Sequence, residues 1–130
     1  NESVQVNRGD GLGVSEIKKL GIKQIIISTE ENPVVSIRAR KLDISCLQGI
    51  ENKKRTLTDY CNNNNIDLES VAYVGNDIND EEAIGIAGVT FCPADAHESI
   101  KVISDYVLKT KGGQGVVREL LDLINDQKGA

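Results

Sequence analysis

The 130-residue sequence has no methionine and no tryptophan, and its aromatic content is one phenylalanine and three tyrosines. Position 1 is Asn rather than Met, so the expectation is a fragment or a processed chain. The three cysteines, Cys46, Cys61 and Cys92, are odd in number and widely spaced. That excludes a disulfide framework and a cysteine zinc site, and it suits free thiols in a reducing cytoplasm. Positive charge is in deficit: the net charge is −5 and the isoelectric point about 4.9, which argues against a nucleic-acid surface. The longest apolar run, around Ile25 to Ile27, is far too short to span a bilayer. The opening NESVQVNRGD is polar and lacks the pattern of a signal peptide.

What is present is the mix of a folded domain. Charged residues are 27% and hydrophobic residues 39%, and the length fits one domain, residues 1–130. Residues 1–8 alternate Val4 and Val6 with polar neighbours, as a half-exposed strand does. A helix is expected from Asp10 to Leu20, stopped by Gly21. The run IKQIIIS over 22–28 suits a strand buried on both faces. Asn32 followed by Pro33 starts a helix to about Leu42, because an N-cap residue and a proline at the first helical position are both favourable. Further strands are expected at 45–48, 71–74, 89–92 and 106–108. Helices are expected at 52–63, 80–86 and 98–104, and a closing amphipathic helix at 116–125 carries Val117, Leu120, Leu121 and Ile124 on one side. Strands alternate with helices throughout, which implies a three-layer, Rossmann-like α/β fold with a mostly parallel sheet.

In such sheets the chemistry sits beyond the carboxyl ends of the strands. Ser28 and Thr29 end the first apolar run ahead of a helix, where a hydroxyl can donate to a phosphate; Ser28 equally suits a simple turn cap. Gly75-Asn76-Asp77-Ile78-Asn79-Asp80 follows VAYV and packs four oxygen-bearing side chains into five positions. Mg²⁺ takes one or two carboxylates plus phosphate and water, so Asn76, Asp77 and Asp80 are candidate ligands, with Asp80 as helix N-cap the alternative. Lys53 opens a helix after QGIEN and can hold a phosphate by charge, although Lys54 and Arg55 beside it also read as a solvated basic face. His97 is the only histidine and follows PADA. It suits a structural or substrate-adjacent role better than a general base. GGQG at 112–115 resembles a phosphate loop weakly, with Arg118 and Glu119 as its polar company.

VNRGDGLG, IIIS, QGIENK, VAYVGNDIND, PADAH and GGQGVVRE, in this order and spacing, together resemble the haloacid dehalogenase superfamily. More narrowly they resemble the 3-deoxy-manno-octulosonate 8-phosphate phosphatase group, which includes the phosphatase-like C-terminal domains of acylneuraminate cytidylyltransferases. The resemblance covers about Val4 to Ile124. It implies a Mg²⁺-dependent phosphomonoesterase working through an aspartyl-phosphate. It assigns Ser28 to the hydroxyl on the transferring phosphoryl group and Lys53 to the charge-stabilising lysine. Asn76, Asp77 and Asp80 fall on the metal segment. Asp10, Thr29, His97 and Arg118 fall on the substrate side. It also implies a sugar-acid phosphate as substrate and a homotetramer built on a hairpin whose second strand is residues 1–8. The chain departs from the group in three places. The first motif, Asp-x-Asp-Gly, does not occur in the 130 residues. Asn76 stands where many relatives have Asp, and Glu30 stands where phosphatase members often have Arg.

Two functions follow. One is a phosphatase for an eight- or nine-carbon sugar-acid phosphate. The other is a non-catalytic oligomerisation domain linked to a sialic-acid cytidylyltransferase, which Asn76, Glu30 and the absent first motif favour. An unrelated nucleotide-binding domain would need a glycine-rich loop after its first strand.

Overall fold

The computed structural model describes residues 8–112 and 115–128, with side chains described over 12–112 and 115–126. The strand expected over 1–8 lies outside the described residues except for Arg8, which begins a helix. That helix, α1 (Arg8–Lys19), starts two residues earlier than expected. It ends at Gly21, whose φ of 81° lies in the left-handed region that a side chain would disfavour.

Next come β1 (Ile25–Ile27) and α2 (Pro33–Leu42). The Asn32 side chain accepts the Val34 N–H at 2.9 Å, and Pro33 occupies the first helical position, so both sequence signals act as expected. Asp43, at φ 57°, closes α2 and hands the chain to β2 (Ser45–Leu47). β2 lies parallel to β1, with Ile25 opposite Ser45 and Ile27 opposite Leu47. The helix α3 (Lys53–Asn63) is capped by Asn52, which accepts the Arg55 N–H at 3.0 Å.

A short 3₁₀ turn at Leu68–Ser70, not anticipated from the sequence, leads into β3 (Ala72–Val74). α4 (Glu81–Ile84), β4 (Val89–Cys92), α5 (Glu98–Ile103), β5 (Tyr106–Val107) and α6 (Val116–Lys128) complete the order. β3, β4 and β5 pair in that order, all parallel. The expectation of parallel βα units holds. The described strands form two parallel sheets of two and three strands, β1-β2 and β3-β4-β5, rather than one.

The apolar periodicity explains the core. Leu57 and Cys61, one turn apart on α3, pack with Tyr73, Ala83, Ile84, Cys92, Ala96 and Ile100. Ile27 of β1 packs against the same cluster, so α3 and Ile27 join the smaller sheet to the core of the larger one. Ile100 is fully buried, and burial of such a side chain stabilises by about 1.5–3 kcal/mol. Because the strands in each sheet are parallel, the segments that follow them leave from a common end. Among the described residues no helix is long and apolar enough to cross a membrane.

Candidate active site

The ends of β1 and β2 are tied together beyond the last ladder pair. The Ser28 N–H donates to the Leu47 carbonyl at 2.9 Å, and the Ile50 N–H donates to the Ser28 carbonyl at 3.0 Å. Gly49 N–H donates to the Glu30 carbonyl at 3.0 Å. Gln48 Nε2 reaches the Asn32 carbonyl at 2.8 Å. The Ser28 hydroxyl accepts the Glu30 N–H at 3.1 Å, and the side chain is 1% exposed. Thr29, next in the chain, is exposed. This zipped pair of loops delivers the chain to Asn52 and so fixes where α3 begins, which places Lys53 inside rather than on a solvated face.

Lys53 is 4% exposed and Asp80 3% exposed. Buried charges persist only when paired and hydrogen-bonded. Lys53 Nζ lies 2.9 Å from Asp80 Oδ1 and 3.4 Å from Asn79 Oδ1. Asp80 Oδ1 also accepts the Tyr73 hydroxyl at 2.5 Å. Asp80 Oδ2 accepts the N–H groups of Asn76 at 3.0 Å and Asp77 at 3.2 Å. Lys53, Tyr73 and the 76–77 backbone thus hold the Asp80 carboxylate in place at the end of β3. Asp80 does stand at the N-cap position of α4, with no side-chain cap bond, and it also ends a 3₁₀ turn, Ile78–Asp80, that has its own cap. Asp77 is the N-cap, its side chain accepting the Ile78 N–H at 2.8 Å, and Asp80 completes the capping box from the third position.

Gly75 makes this packing feasible, since a Cβ there would lie 2.7 Å from Asp80 Cβ and 3.1 Å from Ile84 Cδ1. The Ile78 N–H bond holds the Asp77 carboxyl below the usual carboxylate range, with the nearby His97 adding to the shift. Asn76 and Asp77 are half-buried hard-oxygen side chains at the end of β3, the donor type Mg²⁺ uses. Among the described residues no group of three His, Cys, Asp or Glu side chains is placed to hold a metal. Any ion here would draw on phosphate and water oxygens as well. Sequence reasoning misses Tyr73, which reads as one more residue of an apolar strand. Its partner lies seven positions on, so spacing alone gives no signal.

His97 is exposed and caps α5. Its N–H donates to the Asn76 carbonyl at 3.0 Å, which holds it against the 75–80 loop. Its Nδ1 lies 3.2 Å from the Ser99 backbone nitrogen, whose N–H it accepts, and 2.8 Å from the Ser99 hydroxyl. Gly112 N–H binds Asp95 Oδ1 at 2.8 Å, tying the start of GGQG to the PADAH loop; Gly113 and Gln114 lie outside the described residues. Arg118 is exposed on α6 and pairs with Asp122 at 3.6 Å, and no described contact joins it to Ser28 or Lys53. The side chain of Asp10 lies outside the described residues. Burial raises the thiols of Cys46 and Cys61, which opposes a thiolate nucleophile. A shallow groove of about 330 Å³ lined by Ser36, Arg40, Asp43 and Cys46 flanks the start of β2, away from these loops.

Residues 15–120 match the family model of haloacid dehalogenase-like hydrolases. The chain belongs to that family. It is 31% identical over 121 residues to the 3-deoxy-D-manno-octulosonate 8-phosphate phosphatase KdsC of Haemophilus influenzae, covering 92% of this chain and 67% of the relative. The Escherichia coli K12 protein of the same name is 35% identical over 119 residues, covering 91% of this chain and 63% of the relative. The chain thus spans about two thirds of the length of these curated relatives. The same haloacid dehalogenase-like fold recurs in a Moraxella catarrhalis 3-deoxy-D-manno-octulosonate 8-phosphate phosphatase. That crystal structure, in complex with magnesium, phosphate and a KDO molecule, has a TM-score of 0.87 and 34% identity, and the match covers 91% of this chain and 68% of that one. The cobalt-bound H. influenzae phosphatase has a TM-score of 0.90 at 30% identity, covering 99% and 77%.

Proposed function

We propose that this protein is the phosphoryl-binding body of a Mg²⁺-dependent phosphomonoesterase. Its substrate is a sugar-acid phosphate of the 3-deoxy-manno-octulosonate 8-phosphate or acylneuraminate 9-phosphate type. The observation that carries this reading is the buried Ser28 and Lys53–Asp80 set at the ends of β1 and β3. A hydroxyl and a pre-positioned ammonium there suit an oxyanion that gains charge during transfer. Ser28 binds a phosphoryl oxygen. Lys53 stabilises the developing charge, and Asp80 holds Lys53 in place. Asn76, Asp77 and Asp80 are the side chains that would hold Mg²⁺, which when bound would neutralise the charge of the phosphate. Thr29, His97, Asp10 and Arg118 belong to the substrate side. The attacking carboxylate in this reading is that of an Asp-x-Asp pair, which does not occur in the 130 residues. A cytoplasmic homotetramer, with or without a fused nucleotidyltransferase domain, belongs to the same reading.

A second reading is favoured by one observation. Asn76 is an amide where many relatives have Asp, so the 75–80 loop brings one negative charge fewer to a metal. That suits a non-catalytic oligomerisation domain linked to a sialic-acid cytidylyltransferase.

Phosphate release from 3-deoxy-manno-octulosonate 8-phosphate separates the two. The natural polypeptide carrying this domain is expected to release phosphate with Mg²⁺ and to stop when Mg²⁺ is chelated. Lys53→Ala is expected to lower kcat by about 100-fold or more. The 130-residue chain alone is expected to release none. A natural polypeptide that is inert supports the second reading, and release that does not depend on Lys53 overturns the roles assigned to Ser28, Lys53 and Asp80.

A further inference from the structure

The Lys53–Asp80 pair has a third member that the reaction scheme leaves unused. Tyr73 is buried in the middle of β3, 8% exposed, and its hydroxyl meets the same Asp80 oxygen that faces Lys53. We propose that Tyr73 is a positioning residue for Lys53, acting through Asp80: its hydroxyl shares the Oδ1 charge and so leaves the ammonium available to an incoming phosphate. This rests on the phosphoryl-binding reading above.

The physical argument is one of competition for one oxygen. Asp80 Oδ2 is occupied by two backbone N–H groups from the 76–77 turn, and these are fixed by the capping box. Oδ1 therefore carries what charge is left, and Lys53 and Tyr73 divide it. Hydrogen bonds to an ionised acceptor are about twice as strong as neutral ones. Without the hydroxyl, the whole of Oδ1 falls to Lys53, the pair tightens, and the lysine has less charge to offer outward. Burial, and then the adjacent Asp80 charge, push the Tyr73 phenol far above its usual range, so it stays a donor wherever the protein is folded. The substitution that isolates the effect removes one oxygen, Tyr73→Phe. An internal control exists: the hydroxyl of Tyr60, on α3, is buried with no hydrogen-bond partner among the described residues, so Tyr60→Phe removes the same atom without removing a bond.

The test is orthophosphate binding by the full chain in Mg²⁺, followed by ³¹P NMR, with circular dichroism as the check on folding. Wild type and Tyr60→Phe are expected to bind alike. Tyr73→Phe is expected to weaken binding about five- to tenfold, as loss of a charge-assisted bond transmitted in part to its neighbour. The readout that a merely structural role would not produce is coupling: in a Lys53→Gln background, Tyr73→Phe should add nothing. Equal weakening in both backgrounds, or no weakening in the Lys53 chain, overturns the inference while leaving the phosphoryl site standing. Wild type that binds no orthophosphate, or that binds it as well as Lys53→Gln, overturns the phosphoryl reading and this inference with it. Should Tyr73→Phe not fold, 3-fluorotyrosine in a Tyr60→Phe, Tyr106→Phe chain keeps the hydroxyl and makes it a stronger donor. Phosphate binding is then expected to tighten, and unchanged binding overturns the inference.

Discussion

Asp80 meets Lys53, Tyr73 and the 76–77 backbone at once, and its position depends on a residue that has no side chain. Gly75 lies so close to Asp80 Cβ that an added methyl would sit at 2.7 Å. Gly75→Ala must therefore push the 76–80 turn outward and pull the carboxylate from Lys53 and Tyr73. Breaking a buried pair leaves an uncompensated charge, which costs about 3–5 kcal/mol. The expected outcome is a fall in melting temperature together with loss of phosphate affinity; a variant as stable as wild type with unchanged affinity would mean that the turn gives way elsewhere. At this scale the sequence is partly legible. Ser28, Lys53 and Asp80 stand out because a hydroxyl, a lysine and an acidic turn each follow an apolar strand. Their division of labour does not. Asp80 reads as a metal ligand or a helix cap in one dimension, and only the structure shows that it also binds Tyr73, Lys53 and the 76–77 backbone.

Among the elements, the C-terminal helix packs against α1 and is tied to the segment leaving β5 by one side chain at its start. Glu119 accepts the N–H of Lys109 at 3.0 Å and of Thr110 at 2.9 Å, so α6 is bound to the segment leaving β5. Burial alone would raise the Glu119 carboxyl, but the Lys109 N–H, the Thr110 side chain and N–H, and the Lys109 charge together outweigh it and the net shift is downward. A lowered folded-state value gives stability that is present above the unfolded value of about 4.3 and is lost as pH falls through the lower folded value. Glu119→Gln is thus expected to cost about 1–2 kcal/mol at pH 7. That cost should shrink toward zero on acidification below about pH 4, read from denaturant unfolding at several pH values. A pH-independent cost would assign the effect to packing. The Asn32-Pro33 start of α2 and the Gly21 stop of α1 are legible because local chemistry decides them. The early start of α1 at Arg8 and the 3₁₀ turn at Leu68–Ser70 are not, since neither carries a cap or a period that marks it.

For the whole molecule, the alternation of strands and helices is enough to fix the fold class, and the family match agrees with it. The division of the described strands into sheets of two and three is not legible, because pairing depends on edges that meet in space. What joins the two sheets is α3 with Ile27 on the common core, together with the Lys53–Asp80 pair. The same contacts that unite the fold therefore assemble the site, and a ligand that binds Ser28 and Lys53 should be felt on both sides of the join. The most direct measurement is a ¹H–¹⁵N NMR titration of the chain with orthophosphate and Mg²⁺. The account predicts shifts concentrated at Ser28, Thr29, Lys53, Asn76 and Asp77, absent from the groove around Arg40 and Cys46 and lost in Lys53→Ala. Shifts confined to other surfaces, or none at high phosphate with Mg²⁺ present, would contradict it.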